Sequence, residues 1–162
     1  MGPFRKCRRG FTTIEVIAVL IILGVIAGVV AYRFTGGVAA YSVQSVAEEV
    51  KNHLRYAQTR AMNSSAIWGV NFTDSTHYTI FKDGDTSHTV IPPGASSNTV
   101  NLGGSGVTLG SLGTSIVSFD DWGKPYTDAP AANAQSGARS LTVSGGGQTV
   151  TIQITPNTGY IP

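Results

Sequence analysis

The 162-residue chain has very little cysteine and few charged side chains. Cys7 is its single cysteine, so no disulfide can form within the chain, and no cysteine and histidine cluster of zinc-site spacing is present. Asp, Glu, Lys and Arg together make up only 12% of the residues. This composition excludes a coiled coil, a collagen-like repeat and an acidic disordered tail. Abundant glycine, serine and threonine favour short strands and turns instead.

Basic charge is also missing from most of the chain. Four of the 11 Lys and Arg residues lie within the first ten positions, at Arg5, Lys6, Arg8 and Arg9. The rest has seven basic against nine acidic residues. It therefore lacks the general basic surface of a nucleic-acid-binding protein, and nucleic acid is an unlikely partner.

No catalytic pattern is present in the sequence. His53, His77 and His88 do not have the H-E-x-x-H spacing of a metal site, and we expect each to be a surface or boundary residue. No G-x-S-x-G nucleophile motif occurs. The glycine-rich stretch 103–106 lacks the lysine of a phosphate loop and is expected to be a flexible connection. We expect a protein that is not an enzyme and that uses no cofactor and no metal.

A long apolar segment follows the basic decapeptide. Residues 11–31 carry one charge, that of Glu15. As a helix they would extend about 31 Å, the thickness of the hydrocarbon core of a bilayer. The basic flank predicts that residues 1–10 stay in the cytoplasm and that the rest is exported. The run is too long for an ordinary cleaved secretory signal, which would end at a small-x-small site.

Glu15 is the unusual residue of this segment. A carboxylate within an apolar segment is costly unless it is paired, so it indicates a function. It could instead lie near the membrane interface, where the helix dipole stabilises it. Cleavage after Gly10 would create a new α-amino group on Phe11, four residues before Glu15. That group would be a positive partner in the same chain or in a neighbouring chain.

The sequence around Glu15 resembles the leader of type IV pilins and type II secretion pseudopilins. The resemblance rests on Gly10-Phe11-Thr12-Thr13-Ile14-Glu15, preceded by Lys and Arg and followed by the apolar run 16–32. Thr13 departs from it, since the family usually has leucine there. The resemblance implies that prepilin peptidase cleaves between Gly10 and Phe11 and N-methylates Phe11. It also implies that Glu15 helps to dock the subunit among other pilins or pseudopilins in a filament.

The same resemblance implies a single-pass protein of the bacterial inner membrane with a periplasmic C-terminal domain. We divide the chain into a cytoplasmic leader (1–10), a transmembrane and filament-core helix (11–32), an amphipathic continuation (33–64) and a periplasmic β domain (65–162). A competing hypothesis is a single-span membrane protein without a filament role, in which the bond between Gly10 and Phe11 stays uncut.

Apolar residues beyond Gly36-Gly37 recur at three- and four-residue steps, which predicts an amphipathic helix. One helix is expected from about Thr12 to about Met62, with a bend or a locally unfolded segment at the two glycines. Gly24-x-x-x-Gly28 matches a motif for close helix packing. The expected buried residues are Val43, Val46, Val50, Leu54, Ala57 and Ala61.

Alternating polar and apolar residues after position 65 predict a small antiparallel sheet. We expect strands at 66–72, 77–82, 86–91, 98–102, 115–120, 140–144 and 149–155, with turns at 83–85 and 145–147. Phe119 and Trp122 are expected to fill the space between helix and sheet. The predicted fold class is α+β: a long N-terminal helix, transmembrane in its first half, packed on a small antiparallel sheet domain, as in pilins.

Three stretches of the predicted domain resemble the GspH/FimT group of minor pseudopilins: residues 54–61, 118–125 and 154–160. This resemblance implies a GspH-like minor pseudopilin of type II secretion. The alternative is a FimT-like minor type IV pilin involved in pilus assembly or DNA uptake.

The string Trp122-Gly123-x-Pro125-Tyr126 is similar to one in major pseudopilins, which have a calcium site near their C-terminus. Asp120, Asp121 and Asp128 are candidate ligands on this basis. No 12-residue ligand loop is present, however, and acids near a turn are usually solvated.

Overall fold

The structure is a computed structural model that describes residues 12–110 and 112–162, and for residues 31–41 it describes the backbone only. The predicted leader and the predicted cleavage point between Gly10 and Phe11 lie outside the described residues. The chain divides into two compact units, one ending at Gly37 and one comprising residues 38–162.

Helix α1 (Thr13–Ser64) begins one residue after the predicted start at Thr12. The Thr12 carbonyl accepts hydrogen bonds from the amides of Glu15 (3.1 Å) and Val16 (3.2 Å), and the Thr12 hydroxyl caps the Glu15 amide at 3.4 Å. The helix ends where Ser65 takes a left-handed conformation, φ 52°. Both limits confirm the prediction within the usual uncertainty of helix ends. The backbone stays helical at Gly36-Gly37, so a locally unfolded segment there is wrong, and the alternative of a bend stays a prediction.

In the second unit, α1 buries one face in the hydrophobic core. The buried positions recur at steps of three and four, because those residues fall on one side of a helix. The predicted residues Val43, Val46, Val50, Leu54, Ala57 and Ala61 are all buried, together with Ala47. The amphipathic prediction is therefore confirmed.

In the described part of the chain, the first sheet contains six strands: β1 (Trp68–Phe72), β2 (His77–Lys82), β3 (Asp85–Val90), β4 (Thr99–Asn101), β6 (Ile116–Phe119) and β7 (Pro125–Tyr126). It is antiparallel and has the order β3-β2-β1-β6-β7, with β4 pairing a further part of β2. Trp68 on β1 pairs with Lys82 on β2 and with Phe119 on β6. Asp83 and Gly84 join β2 to β3 with positive φ, as a two-residue hairpin turn requires.

The second sheet contains β5 (Thr108–Leu109), β8 (Arg139–Gly145) and β9 (Gln148–Ile154), in the order β5-β8-β9. Gly146 and Gly147 form the turn between β8 and β9 with φ 53° and 78°, the geometry of a type I′ hairpin. Ile152 and Ile154 are buried and Gln153 is exposed, which confirms the alternation expected for this strand.

The structure corrects three details of the predicted domain. The strands form two sheets rather than one, and the two-residue strands β5 and β7 were not predicted. Trp122 is 83% exposed rather than buried, whereas Phe119 lies in the core as expected. The Asp120 carboxylate accepts the amide hydrogens of Trp122 (3.0 Å) and Lys124 (2.9 Å) and stabilises a turn in which the indole points outward.

Candidate functional site

The first candidate site is the apolar start of α1. Residues Thr13–Val30 have a mean hydropathy of 2.8 and are long and apolar enough to cross a membrane, by length and composition alone. None of this segment is buried within the chain, and Ile14 is 73% exposed. Such an apolar surface is stable only when lipid or protein covers it.

Glu15 lies in the first turn of α1, where the partial positive charge of the helix terminus favours a carboxylate. Its amide is capped by Thr12, and its side chain is exposed. Within residues 12–30 no cation is available to the carboxylate, since Glu15 is their single charged residue. Phe11, whose amine is the predicted partner, lies outside the described residues. The geometry leaves Glu15 open to a cation from outside this segment.

Gly24 and Gly28 lie one turn apart on the same side of the helix. A Cβ atom added at either glycine would meet nothing within 4 Å. Small residues at this spacing let the backbone of another apolar helix come close. This face of α1 is therefore open to a neighbouring helix.

Two of the three candidate calcium ligands, Asp120 and Asp128, stabilise turns in the second unit, and Asp121 is exposed. Asp120 Oδ2 accepts the Tyr126 hydroxyl at 3.0 Å, which raises the pKa of Tyr126. Asp128 accepts the amides of Ala132 (3.2 Å) and Asn133 (2.9 Å). Across residues 12–110 and 112–162 no three His, Cys, Asp or Glu side chains are grouped to hold a metal ion.

His53 is buried, which contradicts the expectation of a surface or boundary residue. Its ring is 3% exposed, with Nδ1 2.6 Å from the Tyr78 hydroxyl and Nε2 3.0 Å from the Pro93 carbonyl. Because that carbonyl can only accept, Nε2 carries a hydrogen, and in the neutral tautomer the Tyr78 hydroxyl donates to Nδ1. The helical spacing could have revealed this, since position 53 is three residues after the buried Val50.

The other two histidines agree with expectation. His77 is half-buried beside Asp74, with Nδ1 2.9 Å from Asp74 Oδ2. His88 is exposed on β3, and its ring nitrogens lie 3.6 Å from Asp83 and 4.0 Å from Asp85.

The fold is similar to that of solved pilin structures. A crystal structure of the type IV minor pilin FimU from Pseudomonas aeruginosa PAO1 in space group P21 matches with a TM-score of 0.55 and 16% identity, covering 76% of this chain and 88% of that chain. The same protein in space group P65 matches with a TM-score of 0.50 and 16% identity, covering 74% and 90%. This chain has a pilin-like fold. No model of a protein family matches the sequence, and no curated protein matches it.

Within the pilin-like fold, contacts join parts of residues 54–61, 118–125 and 154–160, the three stretches singled out in the sequence. Gln58 on α1 donates from Nε2 to the carbonyls of Gly123 (2.9 Å) and Thr158 (3.1 Å). Arg55 donates to the Ile161 carbonyl at 3.0 Å. These contacts attach the turn after β6 and the C-terminal residues to the helix. Gln58 and Arg55 therefore stabilise the domain, through contacts between segments that are about 65 to 106 residues apart in the sequence.

Proposed function

We propose that this chain is a structural subunit of a type IV pilin-like filament, a GspH-like minor pseudopilin of type II secretion assembled through its N-terminal helix. One observation carries this proposal: an 18-residue apolar helical segment with no burial of its own precedes a unit that has a complete core. The pilin-like fold and the three GspH/FimT-like stretches support it. On this proposal the protein is held in the inner membrane, faces the periplasm and acts without catalysis.

The proposed mechanism is the movement of apolar helices from lipid into a shared filament core. Prepilin peptidase cleaves after Gly10 and methylates the Phe11 amine, which stays cationic. In the filament, Glu15 neutralises the Phe11 amine of a neighbouring subunit. The open face at Gly24 and Gly28 lets helices pack closely. Apolar burial holds the filament together, and the ion pair sets its register.

The test is Glu15→Gln, which removes the charge and keeps the size of the side chain. We expect this variant to reach the membrane but to be lost from the sheared filament fraction. Glu49→Gln is the matched control, because Glu49 is an exposed carboxylate of the second unit. Incorporation of Glu15→Gln at the level of the control would contradict the role assigned to Glu15.

A second candidate is a FimT-like minor pilin of type IV pili, and the likeness to FimU favours it. Deletion of the gene separates the two systems, since loss of secreted proteins supports the pseudopilin and loss of surface pili supports the pilin.

A role in DNA uptake is less well supported. After position 65 only Lys82, Lys124 and Arg139 are basic, and Arg139 donates to the carbonyls of Thr114 and Ile116 at 3.0 Å. We expect no gel shift of DNA at moderate salt.

A further inference from the structure

Strand β9 is the edge of the second sheet, and among the described residues no strand pairs with its outer side. The two-residue turn makes Gly145 and Gln148 a hydrogen-bonded pair, and such pairs alternate along an antiparallel ladder. The amides and carbonyls of Thr149, Thr151 and Gln153 therefore point away from β8. The same alternation is visible on the other side of β8, where the Thr142 carbonyl accepts the Gly110 amide at 2.7 Å.

This edge lacks the usual protection against pairing with another strand. Charged residues, prolines and bulges commonly protect edge strands. Strand β9 has none of these, its register with β8 is continuous over seven pairs, and no charged residue occurs from position 140 to 162. At the edge of the first sheet, in contrast, β3 begins at Asp85 and its register with β2 shifts between Phe81 and Lys82. Strand β9 is therefore less protected than β3 against pairing with another strand.

The sequence of β9 is complementary to itself when it is read in the opposite direction. Centring an antiparallel pair on Thr151 places Thr149 opposite Gln153 of the second copy, and Val150 opposite Ile152 of that copy. Polar side chains then meet polar ones on the exposed face, which is the face that carries the complementarity. On the core face, the half-buried Val150 lies opposite Ile152, which its own chain already buries completely.

We propose that β9 pairs with β9 of a second copy of this chain and joins their second sheets into one continuous sheet. A second copy is favoured over another polypeptide because the strand is uncharged and rich in β-branched residues, a composition that pairs with itself. This pairing uses no residue of α1, so it does not depend on the proposed filament function.

Disulfide cross-linking of the full chain in membranes tests this proposal. In a Cys7→Ser background, Thr151→Cys places two thiols at directly opposed positions about 5.5 Å apart between Cα atoms, within the range for a disulfide. After mild oxidation we expect a disulfide-linked species of twice the chain mass. Asn52→Cys is the matched control, because Asn52 is exposed on α1, and it should stay monomeric. Equal cross-linking of the two variants, or linkage of Thr151→Cys only to a different protein, would overturn the proposal.

A second pair of variants tests the register without relying on Thr151. Thr149→Cys and Gln153→Cys should cross-link when they are expressed together, since the two positions face each other between copies. Each variant expressed alone should give much less dimer, because its thiols then lie several residues apart along the strand. Cross-linking that is no greater in the mixture than in the single variants would overturn the proposed pairing.

Discussion

At the residue scale, Gly69 shows how closely the first sheet is packed. A Cβ atom built on Gly69 would lie 2.5 Å from Phe81 Cζ and 2.6 Å from the Val117 carbonyl oxygen. Phe81 is on β2 and Val117 is on β6, so both neighbours of β1 exclude a side chain here. The position requires glycine for lack of space rather than for backbone conformation.

Gly69→Ala should therefore destabilise the protein, by about 1–3 kcal/mol from overpacking. Gly104→Ala is the matched control, since an added Cβ there meets nothing within 4 Å. Urea unfolding of the detergent-solubilised chain, followed by tryptophan fluorescence, measures both. Equal midpoints for the two variants would contradict the packing at Gly69.

The Asp74 carboxylate makes the stability of the fold depend on pH in the acid range. The amide of Thr76, at 2.7 Å, and the ring of His77 lower the pKa of Asp74 from 3.8 to about 2. A carboxylate with a lowered pKa in the folded state contributes stability above its unfolded pKa, and that contribution is lost as the pH falls through the folded value. Asp74 therefore stabilises the fold at neutral pH and loses this effect below about pH 4.

We predict that the urea midpoint of the unmodified chain falls more steeply between pH 4 and pH 2 than that of Asp74→Ala, which cannot make these hydrogen bonds at any pH. Thermal unfolding over the same range is an independent measurement. Parallel pH profiles for the two proteins would show that Asp74 does not contribute in this way.

Two residues of the second unit, Trp122 and His53, differ from expectation for different reasons. Trp122 is a large aromatic residue and was expected in the core, but Asp120 binds the backbone amides around it and directs the ring outward. His53 was expected near the surface, but Tyr78 and Pro93 satisfy both of its ring nitrogens in the interior. The partners of His53 lie 25 and 40 residues away in the sequence, so no local pattern contains them. Asp120, in contrast, lies two residues before Trp122, and its turn is a local signal that the prediction missed. Glu15 could be singled out from sequence because its apolar surroundings are local.

At the element scale, the accuracy with which a helix or strand is predicted depends on how many residues its sequence pattern spans. The buried face of α1 repeats over many turns, so its residues and its limits were predicted well. The hairpin turns at Asp83-Gly84 and Gly146-Gly147 have strong local signals. Strands β5 and β7 have two residues each, which is too short for a repeat, and their positions depend on β8 and β6. The division into two sheets likewise depends on long-range pairing.

The buried face of α1 should contribute strongly to the stability of the second unit. Leu54 is completely buried, and Leu54→Ala removes its side chain from the core. We expect a loss of about 2–5 kcal/mol from lost burial and the remaining cavity. Asn52→Ala, at an exposed position of the same helix, should change stability by less than about 0.5 kcal/mol. Urea unfolding compares the two, and equal effects would contradict the core role of this face.

At the scale of the whole molecule, the chain combines two different surfaces. Residues 38–162 form a unit with a buried core, whereas residues 13–30 expose an apolar surface without internal cover. The apolar surface of residues 13–30 needs lipid or other chains around it. In the proposed function, cleavage after Gly10 creates the Phe11 amine. This amine is the cationic partner of Glu15 when the apolar helix enters a filament.

Intact mass spectrometry of the protein extracted from the membrane of its native host tests whether the chain is processed as proposed. We expect a polypeptide that has lost residues 1–10, begins at Phe11 and carries one additional methyl group. A polypeptide that still begins at Met1 would contradict this expectation, because no Phe11 amine would then exist to pair with Glu15.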